Sequence, residues 1–508
     1  MLIFVTIRFV ISPPEYAQEA VLPLCYLLSL CGAIQLGFWL RQHDLVERCI
    51  FWLAIFFIIG SAYSVAVQMV QLQWPGVRVP FMIPRMETYN PYGNIGQTNH
   101  LASYLAIGWA ALNYLLFRGT IRLKIYFPFS FFLFLGLVLT GQRSAFIYVL
   151  CLSAIFSCIP AVSRAEGSLR QRAAWLWCMP IVYLLMSFFL PIIVNTFSAQ
   201  FLSASDRLHD GWGLRFQMLH VGWSLFLEAP WFGIGWGNLA SYQFLKADVL
   251  PTVPANHVHN IVVQLLAETG IFCTAIVFVV LFFWFRRFIK FPSSREKQFA
   301  LGMIAVLALH SLVEYPLWYA YFLFPIGLVV GMFESDGLKL KVPPILTNIL
   351  IKGLNCVAVV VLYFSFFEAL YVTDMYSRRA YTYSTQVMRD EELNEIARMP
   401  SRFFLKPYVD YIDSTGRPFD GKNAVESIAI NRRLLNTLID NNVIVRRSIY
   451  LASAGKDEEA KNTFLRMKKI FPNETPEMLK VIARAANNEK NDNLIKFSQW
   501  ATEDSAPK

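Results

Sequence analysis

Two histidines stand close together in the stretch "ANHVHNIVVQLLAETG" (residues 255–270), directly before a long apolar run. The whole sequence contains seven histidines, and His257 and His259 lie where polar sequence gives way to apolar sequence. An imidazole group can accept a proton from a hydroxyl group near neutral pH, and histidine is the most frequent general base in enzymes. The stretch therefore predicts general-base chemistry, with a merely polar interfacial loop as the alternative.

Arginines also adjoin apolar runs. Arg143 lies in the short corner "LTGQRSAF", and Arg215 lies in "GLRFQML". Guanidinium groups bind phosphate oxygens through paired N–H donors and stabilise the charge that develops on them. Because a charged side chain is costly at membrane depth, each arginine needs a ligand, a partner or access to lipid phosphate. With the histidines, these arginines predict a site that binds a diphosphate leaving group and activates a neutral hydroxyl.

Further polar residues lie at the ends of other apolar runs. Gln97 in "GNIGQTNHLASYL" precedes one run, and Glu314 and Tyr315 in "LHSLVEYPLWY" follow another. The sequence has no HExxH motif, and two histidines two residues apart would point to opposite sides of a helix, which argues against a shared zinc ion. We therefore predict no metal and no other cofactor, with one histidine carrying the chemistry and the other assisting or structural.

The apolar runs predict an all-α polytopic membrane protein. Of the 508 residues, 56% are hydrophobic. A hydrocarbon core of roughly 30 Å needs about 20 apolar residues per helix, so we expect about 10–12 transmembrane helices. Ten are placed at residues 19–40, 49–69, 99–117, 122–140, 144–163, 173–195, 261–285, 298–315, 316–333 and 348–371. Residues 1–12 are a candidate for a short eleventh span, which leaves open whether the first helix is complete.

The net charge of +10 does not point to nucleic acid, because basic residues fall in every second short connection. This alternation is the positive-inside pattern and places those connections in the cytoplasm. The remaining connections, which hold every candidate site residue, and the polar tail are then expected to face outwards. All eight cysteines lie in or beside apolar runs, so no disulfide framework is predicted.

The predicted domains are a transmembrane catalytic domain over residues 1–371, which includes the outward loop 196–260, and a helical domain over residues 372–508. The tail segment "YLASAGKDEEAKNTFLRMKKIFP" resembles one tetratricopeptide-like helix pair, in which Gly455 separates the helices and Pro472 ends the second. One such pair cannot bury its own apolar face, so it is expected to pack on its neighbours. The last dozen residues are expected to be disordered.

The outward loop is expected to contain an amphipathic helix that lies along the membrane surface. Leu214, Met218, Val221 and Leu225 recur near one helical face, and a glycine-rich turn that begins at Pro230 ends the helix.

Together these motifs resemble the signature of the O-antigen ligase and polymerase superfamily. His259, Asn260 and Gly270 keep its His-Asn, nine residues, Gly spacing. "RFQMLHVGWSLFLEAPWFGIGWG" is similar to its Arg-x3-Leu and P-x-x-G-x-G-x-G segment, and "GQRSAF" to its arginine corner. "HSLVEYPLWYAYFLFPIGLVVG", "YGNIGQTNHLASYLA" and the helical tail resemble the branch of bacterial protein O-oligosaccharyltransferases that glycosylate pilin. The first span is shorter than is usual in that family.

The resemblance implies a metal-independent C-type glycosyltransferase of the bacterial inner membrane, with its site and tail in the periplasm. Such an enzyme moves a glycan as a whole from undecaprenyl diphosphate to Ser or Thr hydroxyls of periplasmic proteins such as type IV pilin. By the same resemblance His259 would be the general base, and Arg143 and Arg215 would hold the diphosphate. The expected substrate-binding residues are Gln97, Tyr315, Asn260, His257 and Glu314.

The motifs leave alternatives open. An O-antigen ligase that acts on lipid A-core, or an O-antigen polymerase, would use the same donor chemistry. A secondary transporter would instead predict an internal repeat and ionisable residues near the centres of its spans, whereas the ionisable residues here cluster at one interface. The expected partners are the lipid-linked oligosaccharide, a pilin-like acceptor protein and membrane lipids, with no nucleic acid.

Overall fold

A computed structural model shows a chain that is helical throughout its described part, with no β-strand there. The described residues are 6, 9–10, 14–79, 82–83, 86, 89–158, 167–197, 201–202, 212–250, 256–335, 344–381, 404–416, 419 and 423–505. The candidate eleventh span over residues 1–12 lies almost wholly outside them. The all-α class predicted from the sequence is confirmed.

Each of the ten predicted apolar runs forms a helix. These helices are α1 (Gln18–Gln42), α2 (Val46–Gln73), α3 (Thr98–Arg118), α4 (Leu123–Leu139), α5 (Ser144–Cys158), α6 (Gly167–Phe197), α9 (Ile261–Lys290), α10 (Arg295–Ser311), α11 (Ala320–Met332) and α12 (Pro344–Tyr381). Two helices, α7 (Trp212–Glu228) and α8 (Leu239–Leu245), lie between α6 and α9. A short 3-10 helix, Pro316–Trp318, precedes α11.

Six of the described helices are long and apolar enough to cross a membrane. They are α1, α2, α3, α9 and the segments Arg172–Thr196 and Lys352–Leu370. Helices α4, α5 and α11 are apolar but shorter than 18 residues. Helix α10 has 17 residues and carries charged side chains in its first turn, at Arg295, Glu296 and Lys297. The described helices are those of a multi-pass membrane protein.

The chain divides into two compact units. One unit comprises residues 30–213 and 280–341, and its centre is α3, which is buried from His100 to Phe117. Helices α2, α4, α5 and α10 pack around α3. Small residues permit close approach, since a side chain at Gly108 would collide with Ser61. Buried polar groups are paired across helices, as where the Tyr126 hydroxyl donates to Asn113 Oδ1 at 2.7 Å.

The other unit comprises residues 1–29, 214–279 and 342–508. Its tail forms α13 (Lys406–Gly416), α14 (Ala424–Thr437), α15 (Asn441–Ser453), α16 (Asp457–Ile470), α17 (Thr475–Glu489) and α18 (Asp492–Ser505). Helices α15 and α16 form the expected pair, separated at Gly455, whose φ is +73°. The pair packs on α14, α17 and α18, as its apolar face requires. Its likeness to a tetratricopeptide repeat stays a prediction, as does the domain boundary at residue 371.

The disorder expected for the last dozen residues is wrong for residues 497–505, because α18 continues to Ser505, and residues 506–508 lie outside the described part of the chain. Phe497 and Ala501 are buried in the core of the tail. The Phe464 ring of α16 lies 6.1 Å from the rings of both Phe497 and Trp500. The segment is mostly polar, but its apolar residues recur at helical spacing and form a stripe. The packing of this stripe on the core of the tail orders the helix.

The helix expected in the outward loop is present as α7, but it is not amphipathic in the predicted way. Val221 and Leu225 are buried, as expected. Leu214, from the same predicted face, is 54% exposed, and Phe216 and Trp223 are also exposed. Helix α7 therefore presents apolar side chains in several directions rather than along one face.

Candidate active site

The segment with the two histidines is irregular and ends where α9 begins. Asn260 caps α9, because its Oδ1 atom accepts hydrogen bonds from the backbone N–H groups of Val262 at 3.0 Å and Val263 at 3.1 Å. The Val258 N–H donates to Gln264 Oε1 at 2.8 Å, and the Val258 side chain is buried. The two histidines are therefore held by the first turns of α9, and not on a helix as the argument against joint metal binding assumed.

His259 has an unusual backbone. Its φ is +56°, in the left-handed region that few residues other than glycine adopt, although asparagine, aspartate and histidine do so more often than the rest. Such a conformation costs about 1–3 kcal/mol and persists where neighbouring structure enforces it, often at functional sites. The half-buried His259 side chain thus projects from a constrained turn directly before the cap at Asn260.

His257 lies in a different environment. Burial, together with a smaller electrostatic effect of the neighbouring His259, lowers the pKa of His257 to about 4. A histidine with this pKa is neutral at pH 7, so it can donate and accept hydrogen bonds but carries no charge. This environment suits an assisting or structural role for His257.

Asn260→Ala is expected to destabilise the protein by about 1 kcal/mol, because two N–H groups at the start of α9 lose their acceptor. Asn260→Asp keeps the acceptor oxygen and should retain wild-type stability, as measured by thermal unfolding in detergent. If Asn260→Asp lost as much stability as Asn260→Ala, a role other than the cap would account for the loss.

The glycine-rich turn after α7 is packed against α9. Helix α9 is interrupted at Gly270, with φ +71° and ψ −179°, which frees two carbonyl groups of the preceding turn. The Ala267 carbonyl accepts from the Ile234 N–H at 2.9 Å, and the Glu268 carbonyl accepts from the Gly235 N–H at 3.0 Å. A side chain at Gly270 would collide with the backbone of Trp231. The glycine spacing in both segments therefore has a structural cause, which is backbone contact between the turn and α9.

Glu268 is a residue that the sequence analysis missed. It is buried in α9, and its Oε1 atom accepts a hydrogen bond from the Gly237 N–H at 3.1 Å. The sequence signal for Glu268 was an acidic residue within an apolar helical run. Such residues are rare, and they usually have a specific partner or a function. Here Glu268 joins α9 to the last glycine of the turn.

Arg215 lies in the first turn of α7, where its side chain is half-buried. No ion pair of Arg215 is found among the described residues. The role of Arg215 in binding an anionic ligand stays a prediction.

In the unit centred on α3, Gln97 and Tyr315 contact the same tyrosine. The Tyr319 hydroxyl donates to Gln97 Oε1 at 3.4 Å, and the Tyr315 and Tyr319 rings stack with centroids 6.2 Å apart. Gln97 directly precedes α3, and Tyr315 directly precedes the 3-10 helix. Glu314 is buried beside Tyr315. The structure thus brings these two predicted substrate-binding residues together.

Two buried histidines lie behind this cluster. His100 Nδ1 is 3.0 Å from the Tyr321 hydroxyl, and His310 Nδ1 is 2.8 Å from Ser103 Oγ. The two imidazole rings meet edge to face with centroids 5.0 Å apart. Both histidines stand in motifs at the ends of apolar runs, but their proximity cannot be predicted from those motifs, because it depends on the packing of α3 against α10.

Arg143 lies in the corner between α4 and α5, as predicted, and its side chain is half-buried. The corner is tied to the start of α3, because Gln142 Nε2 donates to Thr98 Oγ1 at 2.8 Å. Gly141 has φ +62°, and a side chain there would collide with Asn90. These contacts hold the corner, and with it the backbone of Arg143, against the start of α3 and against Asn90.

The candidate residues are thus distributed over both units. His257, His259, Asn260 and Arg215 lie in the unit that contains the tail, and Gln97, Arg143, Glu314 and Tyr315 lie in the unit centred on α3. Among the described residues, no group of three or more His, Cys, Asp or Glu side chains is arranged to hold a metal ion.

Comparisons with known proteins agree with a multi-pass membrane protein of the O-antigen ligase type. Residues 128–278 match the family described as O-Antigen ligase, and residues 91–116 match the family described as Protein glycosylation ligase. Residues 298–486 match the family described as Virulence factor membrane-bound polymerase, C-terminal.

Two curated relatives come from Acinetobacter baylyi. The chain is 23% identical to a "General O-oligosaccharyltransferase" over 331 residues, which are 63% of this chain and 57% of that protein. It is also 23% identical to a "ComP-specific O-oligosaccharyltransferase" over 350 residues, which are 67% of this chain and 61% of that protein. The chain therefore spans less than two thirds of the length of each relative. The resemblance to protein O-oligosaccharyltransferases within the O-antigen ligase superfamily is confirmed.

Proposed function

We propose that this chain is a glycosyltransferase that moves a preassembled glycan from undecaprenyl diphosphate to Ser or Thr hydroxyls of periplasmic proteins such as type IV pilin. The observation that carries the proposal is His259, which has a left-handed backbone conformation within the segment that matches the O-Antigen ligase family. The two relatives, each named as an O-oligosaccharyltransferase, support protein as the acceptor. The inner membrane, with the site facing the periplasm, is the proposed location.

In the proposed reaction, the acceptor hydroxyl attacks the anomeric carbon of the glycan from the side opposite the diphosphate. The new bond joins the acceptor oxygen to this carbon, the bond to the diphosphate oxygen breaks, and the configuration inverts. His259 accepts the hydroxyl proton, and the undecaprenyl diphosphate departs with the bonding electron pair. Arg143 and Arg215 stabilise the charge on the departing diphosphate, because guanidinium groups bind phosphate oxygens through paired N–H donors.

The substrate-binding roles are those that the resemblance implies, and the described contacts support them. Gln97 and Tyr315 are assigned to the substrate because both contact Tyr319. Glu314 and His257 are assigned to orientation rather than proton transfer, and the low pKa of His257, about 4, supports this for the histidine. Asn260 acts on the site through its cap of α9.

The test is a transfer assay with the purified protein and an undecaprenyl-diphosphate-linked oligosaccharide. Type IV pilin and lipid A-core are offered together as acceptors, and both products are analysed by mass spectrometry. We expect glycan on a pilin Ser or Thr. Glycan on lipid A-core alone would contradict protein as the acceptor and would favour a lipopolysaccharide ligase.

A glycan polymerase is the second candidate, because residues 298–486 match the family described as a membrane-bound polymerase. This candidate predicts that the protein lengthens the lipid-linked glycan when no protein acceptor is present. Electrophoresis of the lipid-linked products separates the two activities, since a protein glycan transferase leaves the repeat number of the donor unchanged.

Arg143→Lys is expected to lower the transfer rate by about 10-fold or more, because an ammonium group cannot replace a planar fork at a diphosphate. The matched control is Arg484→Lys, at an exposed position of α17. Initial rates at saturating donor measure the effect. A wild-type rate in Arg143→Lys would show that Arg143 reaches lipid phosphate and takes no part in transfer.

A further inference from the structure

A cavity of about 470 Å³ lies between the short helix α8 and the tail helices α14, α15 and α16. Three guanidinium groups line it, from Arg432 on α14, Arg447 on α15 and Arg466 on α16. None of these residues has a role in the proposed transfer reaction. A cavity of this size falls in the range of ligand-binding pockets, about 300–1,000 Å³.

The positive charges of the cavity are incompletely balanced. Arg432 Nη2 is 3.3 Å from Glu15 Oε1, and Arg466 Nε is 3.9 Å from Asp248 Oδ2. Arg447 makes no ion pair among the described residues, and its Nη1 atom is 3.5 Å from the Ile428 carbonyl oxygen. Two carboxylates, those of Glu15 and Glu459, also line the cavity, so its three guanidinium groups exceed its carboxylates by one.

The titration of Arg447 reflects the same imbalance. Burial lowers the pKa of Arg447, and the positive charges of Arg432 and Arg466 lower it further, while Glu459 acts in the opposite direction. An anion in the cavity would relieve this repulsion and would gain two or three charge-assisted hydrogen bonds.

The rest of the wall suits a polypeptide. Asn436 and Asn462 present amide groups, which can donate to and accept from a peptide backbone, and Asn436 Oδ1 already accepts from Ser241 Oγ at 3.1 Å. Phe244 and Leu435 supply an apolar surface on which a side-chain stem can pack.

We propose that this cavity binds an Asp or Glu side chain of the acceptor polypeptide, with Arg447 and Arg466 as the principal contacts of the carboxylate. The identity of the partner rests on the proposed function, whereas the preference for a carboxylate rests on the cavity itself. The cavity would then recognise acidic residues in the sequence of the acceptor polypeptide. It is separate from the residues that act on the hydroxyl and the diphosphate.

Direct binding tests the proposal without glycan transfer. The probes are Gly-Ser-Glu-Glu-Ser-Gly and its neutral counterpart Gly-Ser-Gln-Gln-Ser-Gly, each with an uncharged dye at the N-terminus and an amidated C-terminus. Fluorescence anisotropy with the purified full chain in nanodiscs measures the dissociation constants. We expect the acidic peptide to bind about 10-fold more tightly than the neutral peptide, as two charge-assisted hydrogen bonds would allow.

Three variants locate the preference. Arg447→Gln combined with Arg466→Gln should reduce it to less than about twofold. Arg484→Gln combined with Lys496→Gln, the same loss of two charges at exposed positions, should leave it intact. Glu459→Gln removes a carboxylate from the cavity wall and should tighten binding of the acidic peptide several-fold. A misfolded protein cannot produce this gain.

Equal affinity for the two peptides, or a preference that survives the double substitution, would overturn the proposal. Displacement of the acidic peptide by tetragalacturonate at lower concentration than by unlabelled peptide would also overturn it and would assign the cavity to an acidic glycan. The binding assay needs no donor, so its outcome is separable from that of the transfer assay. A protein that transfers glycan but shows no acidic preference loses only this proposal.

Discussion

His259→Ala is expected to lower glycan transfer by about 10³-fold or more, which is the loss of a general base in the range found for enzymes. The protein should still be inserted and folded, because the cap at Asn260 and the bond from Val258 to Gln264 do not involve the imidazole. Initial rates with a defined acceptor peptide and a lipid-linked oligosaccharide measure the effect. His257→Ala should lower the rate by less than about 10-fold, since a neutral assisting histidine contributes hydrogen bonds rather than proton transfer.

The backbone of His259 calls for a second variant. Alanine at φ +56° is strained, so a loss in His259→Ala could come from the loop rather than from the missing base. Asparagine tolerates the left-handed region well and has no basic nitrogen. His259→Asn is therefore expected to keep wild-type thermal stability and to be as inactive as His259→Ala. Wild-type rates in His259→Asn would contradict a general base at this position and would restore the simple reading of a polar interfacial loop.

The sequence predicted the helices well because each depends on a local pattern. Apolar runs located ten helices, and Gly455 and the Pro472 region delimited the tail pair. Helix ends were less predictable. Where the turn between two helices is itself apolar, the apolar run in the sequence continues through the turn and does not mark where either helix ends. The segment 298–333 shows this: α10 ends at Ser311, and the chain passes through Pro316–Trp318 before α11 begins at Ala320.

The site was predictable in its residue types but not in its contacts. The order of His259, Asn260 and Gly270 could be read directly, whereas the reason for the spacing could not. Asn260 caps α9, and Gly270 interrupts the same helix where the glycine turn crosses it. Both roles depend on partners that are distant in sequence. Glu268 was missed for the same reason, since its partner is the N–H group of Gly237, 31 residues away.

The order of the C-terminal helix α18 also depends on contacts with residues that are distant in the sequence. The polar composition of the last residues suggested disorder, but the Phe497 ring packs against Phe464 of α16. A few apolar side chains at helical spacing are enough to order a helix when a complementary surface exists. The opposite occurred at α7, where helical spacing suggested one apolar face and the structure also exposes Phe216 and Trp223, which lie outside that face.

The interruption of α9 leads to the second large expected effect. Gly270→Ala should destabilise the protein by about 3 kcal/mol or more, because two costs add: a backbone conformation that is essentially confined to glycine, and a collision with the backbone of Trp231. The colliding atoms belong to the main chain, so no side chain can rotate away. The midpoint of thermal unfolding in detergent and the yield of monodisperse protein measure the loss.

The matched control is Gly353→Ala. Gly353 lies within α12, has no atom within 4 Å of the added methyl position, and has no positive φ. Alanine is favoured over glycine inside a helix by about 1 kcal/mol, so this substitution should be neutral or stabilising. A similar loss of stability in both variants would show that glycine content in general, and not the crossing at Gly270, sets the stability.

The contact between the turn and α9 can be tested from its other side. Gly233 has φ +70°, and a side chain there would collide with the backbone of Glu268. Gly233→Ala should therefore resemble Gly270→Ala. Each substitution separates the same two segments, so the double variant should lose less stability than the two single losses added together. Full additivity would mean that the two glycines act in independent places, and the close crossing of turn and helix would then not explain the spacing of the motif.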